Sequence, residues 1–165
     1  MRSKYYIISG TAVLALLLLA GCMNSKGTAA EVSGEDMIEK LGSGADFPAS
    51  ETIRLNAENF EAYAFLPYDE NLEAYAADAL VNITPHSIVV IHSPEGKGGE
   101  LAKEVLANAD PRKWICVEAE KVSVGYTDHY VVLAMSYQDT VDKTMRNFKA
   151  MEKDLNDGTV EVMTK

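Results

Sequence analysis

Four β-branched residues in succession, Ile88-Val89-Val90-Ile91, constrain the fold of this chain more than any other feature. The segment Ser87–His92 around them is short, apolar and bounded by turn residues, which is the pattern of a central, buried strand. What surrounds it then sets the fold class. Upstream, Ser33 is placed to cap a short helix through Leu41, with Glu35 and Asp36 in the first turn and Met37, Ile38 and Leu41 on one side. Ile53-Arg54-Leu55 is a short extended piece, and Asn56 opens a turn of helix through Tyr63 that Pro67 breaks. Leu72, Tyr75, Ala76, Ala79 and Leu80 fall at helical spacing after Asp69 and predict a second helix. Downstream of the strand, Ser93–Gly99 is a turn, and a helix runs from about Glu100 to Asn108, closed by Asp110-Pro111. Ile115–Val124 and His129–Ser136 predict a hairpin about Gly125-Tyr126-Thr127-Asp128. Val141, Met145, Phe148, Met151 and Leu155 form an apolar stripe on a last helix begun at Asp139, and Thr159–Met163 suits a closing edge strand. The core order is therefore α-β-α-β-β-α. It predicts an α+β two-layer sandwich, with helices packed on one face of a small, mostly antiparallel sheet.

The chain begins differently from a folded domain. Arg2 and Lys4 make a short basic start, and Tyr6–Leu19 is apolar or small over 14 residues. That is short of the roughly 20 residues a transmembrane helix needs, and it has the length of a signal-peptide core. It ends in Leu19-Ala20-Gly21-Cys22, which resembles the lipobox of bacterial lipoproteins. The resemblance implies a leader over 1–21, cleavage before Cys22, and diacylglycerol on the Cys22 sulfur. Two or more acyl chains hold a protein at a membrane where one does so only marginally. Residues 22–33 are small and polar and read as a flexible tether, leaving 34–165 as a single domain. The expected location is extracytoplasmic, anchored to the cell membrane by lipid.

Cleavage would remove Arg2 and Lys4 and no acid, so 13 basic residues would face 25 acidic ones, a net charge of −12. Such a surface argues against nucleic acid and against electrostatic docking on anionic lipid. With Cys22 given to lipid, Cys116 has no partner for an intramolecular disulfide. In the apolar run Trp114-Ile115-Cys116-Val117 it is expected to be a small buried hydrophobe.

The stretch from the helix-like Leu72-Glu73-Ala74-Tyr75, through Ser87–His92 and the Gly125-Tyr126 hairpin, to the helix after Asp139 resembles a family of bacterial lipoproteins. That family is common in Gram-positive anaerobes and is built around one domain of unknown function. The resemblance covers roughly residues 35–155 and includes the Cys22 lipobox. It implies a tethered envelope domain and supplies no catalytic residue.

Catalytic motifs are not evident in the sequence. His86, His92 and His129 form no closely spaced pair of the kind zinc sites use, although His92 and His129 would meet if their strands pair in register. Glu95-Gly96-Lys97-Gly98-Gly99 lacks the order of a phosphate loop, and its acids would repel an anion. Asp154–Gly158 lacks the ligand spacing of a calcium loop and reads as a helix stop. Ser87, Ser93, Ser123 and Ser136 sit in no nucleophile elbow. Glu118 and Glu120, two apart on an expected strand, share a face as solvated acids or, less economically, as a general-acid pair. Several of the tyrosines, Tyr63, Tyr68, Tyr75, Tyr126, Tyr130 and Tyr137, suit core edges with one wet end. No metal or cofactor is expected. The sequence predicts a non-enzymatic binding module with an envelope protein as partner. The alternatives are a small-ligand-binding lipoprotein accessory to a transporter and, third, a small envelope enzyme.

Overall fold

The computed structural model describes residues 32–165. The expected leader 1–21, with Leu19, Ala20 and Gly21, and Cys22, the expected site of lipidation, lie outside the described residues. Among the described residues no helix is long and apolar enough to cross a membrane.

The fold is α+β with an antiparallel sheet. In chain order the elements are α1 (Gly34–Gly42), β1 (Ser50–Arg54), α2 (Phe60–Ala64), β2 (Glu73–Ala79), β3 (Ser87–His92) and α3 (Gly98–Asn108). There follow β4 (Lys121–Tyr126), β5 (Tyr130–Ser136), α4 (Gln138–Ala150), α5 (Glu152–Leu155) and β6 (Glu161–Thr164). The strands lie in the order β1-β2-β3-β5-β4-β6, every neighbouring pair antiparallel. β3 is central, as its four β-branched residues require.

The layering differs from the expected one. Helices cover both faces of the sheet. Val89, Ile91, Leu133 and Val124 pack with α2 and α3 on one face, while Ile88, Val90, Val132 and Ala134 pack with α1 and α4 on the other. The cause is in the strands themselves. Adjacent strand residues face opposite ways, so an unbroken apolar run demands a cover on each side. β3 is apolar from Ile88 to Ile91 and β5 from Tyr130 to Met135, and both are buried throughout those runs.

The helix expected after Asp69 is instead β2, so the order α-β-α-β-β-α does not hold at its first position. Glu73–Ala79 pairs with β1 on one side and β3 on the other. Its alanines divide by strand parity: Ala74 and Ala76 enter one core and Ala77 the other. Alanine favours helix in isolation, but the open edge of β3 supplies partners for a strand, and small side chains let helices approach both faces.

The hairpin is shorter than expected. Lys121 pairs with Ser136, the last residue of β5, so nothing upstream of Lys121 has a strand to meet. Ile115–Glu120 is therefore loop, Ile115 is 92% exposed and Cys116 is exposed rather than buried. Glu118 and Glu120 are in that loop and do not form a pair on a strand face.

The helical stripe is as expected, with Val141, Met145, Phe148, Met151 and Leu155 all buried. Gly125 in β4 makes room for it, because a Cβ there would sit 2.7 Å from Cδ1 of Phe148. Ser33 caps α1 by accepting the Asp36 N–H at 3.1 Å. Asn147 on α4 donates to the carbonyls of Leu41 and Ser43 at 2.8 Å each, which fixes α4 against the end of α1. The final edge strand forms as β6 on β4.

Candidate functional site

The sheet has two unlike ends. β2 runs from Glu73 to Ala79 and β3 returns from Ser87 to His92. Glu73 and His92 therefore mark one end, and the connection 80–86 marks the other. The described chain enters at the first end, where Val32 lies beside Tyr75 and His92.

At the entry end, Glu73, His92 and Tyr130 are register partners across β2, β3 and β5, so they share one face, with Tyr75 and Val90 in the next row on it. Together with Val32 they line a cavity of about 220 Å³ beside the N-terminus of α1. The His92 ring lies 4.9 Å from the Tyr130 ring. The Tyr75 hydroxyl donates to Glu73 Oε1 at 3.1 Å, and Arg54 reaches the same oxygen at 3.1 Å. Burial and the neighbouring Glu73 carboxylate raise the Tyr75 pKa, so its hydroxyl stays protonated and donating.

Next to this cavity is an aspartate–histidine pair. His129 Nδ1 lies 2.5 Å from Asp157 Oδ1, and Asp157 Oδ2 accepts the Thr127 hydroxyl at 2.6 Å and the His129 backbone N–H at 2.8 Å. Burial works to raise the Asp157 pKa, but these donors outweigh it and hold the carboxyl below its ordinary value. A carboxylate only accepts, so the His129 proton is assigned to Nδ1, which leaves Nε2 as the acceptor in the neutral ring. The His92 and His129 rings approach to 6.4 Å between centroids, His129 lying in the turn just before β5, while the register partner of His92 is Tyr130. Among the described residues no group of three or more His, Cys, Asp or Glu is arranged to hold a metal ion.

The far end is apolar outside and polar beneath. Leu80, Val81 and Ile83 are exposed on the β2–β3 connection, Ile83 by 72%, and Tyr137 is exposed where β5 passes into α4. Ile115 belongs to the same end, because Lys113 two residues before it reaches Asp78 Oδ2 at 2.9 Å and Ser87 Oγ at 3.1 Å. The Lys113 ammonium also lies 4.6 Å from the Tyr63 ring centroid and 5.4 Å from that of Trp114. Burial lowers the Lys113 pKa, with Asp78 working against that shift. His86 is fully buried, its Nδ1 3.3 Å from Ser136 Oγ and its ring edge-on to Phe47 at 4.4 Å. Burial lowers its pKa to about 4, with Asp78 opposing and Lys113 assisting. His86 Nε2 and Asp78 Oδ1 are buried without a hydrogen-bond partner.

The remaining candidates are accounted for locally. Ser87 is held by Lys113 and Ser136 by His86, both fully enclosed, and Ser123 Oγ pairs with Thr164 Oγ1 at 2.8 Å. Lys97 pairs with Glu95 in the turn before α3. Glu120 accepts the Gln138 N–H at 3.0 Å. Asn156 ends α5 in the left-handed region, and the following Asp157 serves His129. Tyr126 donates to Glu161. Sequence reasoning missed the His129–Asp157 pair and the cavity, since both join residues far apart in the chain. The only available hint was the polar Thr127–His129 turn. No family model, curated protein or solved structure matches this chain.

Proposed function

We propose that this chain is a lipid-anchored extracytoplasmic binding module, tethered through Cys22, that holds an envelope protein by the apolar end of its sheet. The observation that carries this reading is the exposure of Leu80, Val81, Ile83 and Ile115 at the end of the sheet opposite Val32. A tether leaving at Val32 would present that end away from its attachment point, across strands of six residues or about 20 Å. Apolar side chains grouped at one end of an acidic domain favour a protein partner over an anionic lipid surface. Each such side chain contributes about 1.5–3 kcal/mol when fully covered, and part of the sum offsets the cost of association. The leader pattern, the charge of −12 that cleavage before Cys22 would leave, and the resemblance to envelope lipoproteins of unknown activity support the same reading.

The test is a photo-crosslinking residue placed at Ile83 or Ile115 in the tethered protein in cells, with a third probe at Asn71 near the entry end. Crosslinks to one envelope protein from the first two positions and not the third, weakened by Cys22→Ala, are expected. Equal labelling from all three positions, or none, would refute the apolar end as the docking surface. The alternative reading, a small-ligand-binding accessory to a transporter, is favoured by one observation, the cavity beside Val32.

A further inference from the structure

We propose that the cavity beside Val32 is a binding site for a small organic ammonium ion. This deepens the small-ligand reading above and stands apart from the apolar end. The cavity holds about 220 Å³, the room of about seven waters at their share of the liquid. That suits a substituted ammonium head group and is too small for a peptide or a nucleotide.

Its walls are aromatic and apolar, and the Glu73 carboxylate, ion-paired with Arg54, stands at its edge. Tyr75, Tyr130 and His92 contribute rings, Val90 is fully buried, and Glu73 is the carboxylate among the described lining residues. Aromatic faces attract cations through the ring quadrupole, and a carboxylate at the edge of such a box supplies the balancing charge. At the Tyr75 hydroxyl the negative field comes from Glu73, with Arg54 opposing it and Glu35 adding a smaller share. The domain as a whole is strongly acidic, which raises the local concentration of cations and excludes anions.

The box is held in shape by its neighbours. Tyr75 lies close against the first residue of α1, where a Cβ in place of the Gly34 hydrogen would lie 2.1 Å from Tyr75 Cδ2. Its hydroxyl is fixed by Glu73, and the Tyr130 and His92 rings lie 4.9 Å apart at their centroids. Walls that do not reorganise on binding lose little affinity to ordering. Arg54 is the competing cation. It reaches Glu73 from outside and is 67% exposed, so its ion pair is weak and easily displaced.

The experiment uses the full chain purified in maltoside detergent, with choline and its uncharged carbon isostere 3,3-dimethylbutan-1-ol as probes. Binding is followed through the tyrosine ring resonances and by calorimetry. Choline should bind saturably and at least tenfold more tightly than the isostere. Tyr75→Leu should weaken choline about tenfold, the usual size of one ring–cation contact in a partly dry site. Glu73→Gln keeps an acceptor for the Tyr75 hydroxyl and should weaken choline several-fold. Arg54→Ala should strengthen it, an effect that simple loss of structure does not produce. Equal binding of choline and the isostere would overturn the ammonium assignment and leave a small-ligand site standing. Binding of neither probe would overturn both.

Discussion

His86 makes the stability of this domain sensitive to mild acid. Its ring is fully buried against Phe47, Nδ1 is engaged by Ser136 Oγ, and Nε2 has no partner. Burial disfavours the charged ring, and nothing accepts its second proton, so the folded-state pKa falls to about 4, while the unfolded chain titrates near the ordinary value of 6.5. The unfolded state then binds the extra proton first. Full stability is present above about pH 6.5, is lost as pH falls below that value, and the loss is complete below about pH 4. A separation of about 2.5 units corresponds to about 3 kcal/mol in full, with about 2 kcal/mol of it already lost at pH 5. Denaturant unfolding at pH 7, 6, 5 and 4 measures this, with His86→Gln as the non-titrating reference. Other carboxylates titrate in both proteins and cancel in the difference. The stability of the parent relative to His86→Gln should fall by about 2 kcal/mol between pH 7 and pH 5. A difference that does not change with pH, or a His86 ring resonance titrating near 6.5, would refute the reasoning.

Cys116 lies exposed in the loop before β4, so its thiol should react with a disulfide reagent in the native protein as fast as in the unfolded one. Strong protection of the thiol in native conditions would contradict the loop placement. Phe148→Ala should cost about 3–5 kcal/mol in denaturant unfolding, because its fully buried ring fills the space between α4 and Gly125. Gly125→Ala should cost about 1–3 kcal/mol from the opposite direction by pushing a methyl into the same ring, and the two changes combined should be non-additive. Lys113→Met should destabilise by about 3 kcal/mol, since it leaves the largely buried Asp78 carboxylate without its cation. Asp78→Asn in the Lys113→Met background should recover part of that loss.

What the amino-acid order determined by itself was local. The Ser33 cap, the five-residue apolar stripe of α4 and α5, the stop at Asn156-Asp157-Gly158 and the buried character of β3 each depend on residues within a turn or two of one another. Spacing along the chain therefore reports them. The continuous apolar runs in β3 and β5 also carried the requirement for cover on both faces, which the two-layer expectation did not use. The paired partners of each segment were decided only in three dimensions. Glu73–Ala79 has helical spacing and helix-favouring alanines, yet it is a strand because β1 and β3 offer it backbone partners on both sides. Trp114–Val117 has strand-like composition and is a loop because β5 ends at Ser136 and leaves it nothing to pair with. The cavity brings Val32, Glu73, His92 and Tyr130 together, and Asp157 reaches His129 across 28 residues. These juxtapositions follow from strand order and register. They are set by burying two apolar faces at once, a property of the whole sheet that no single segment encodes.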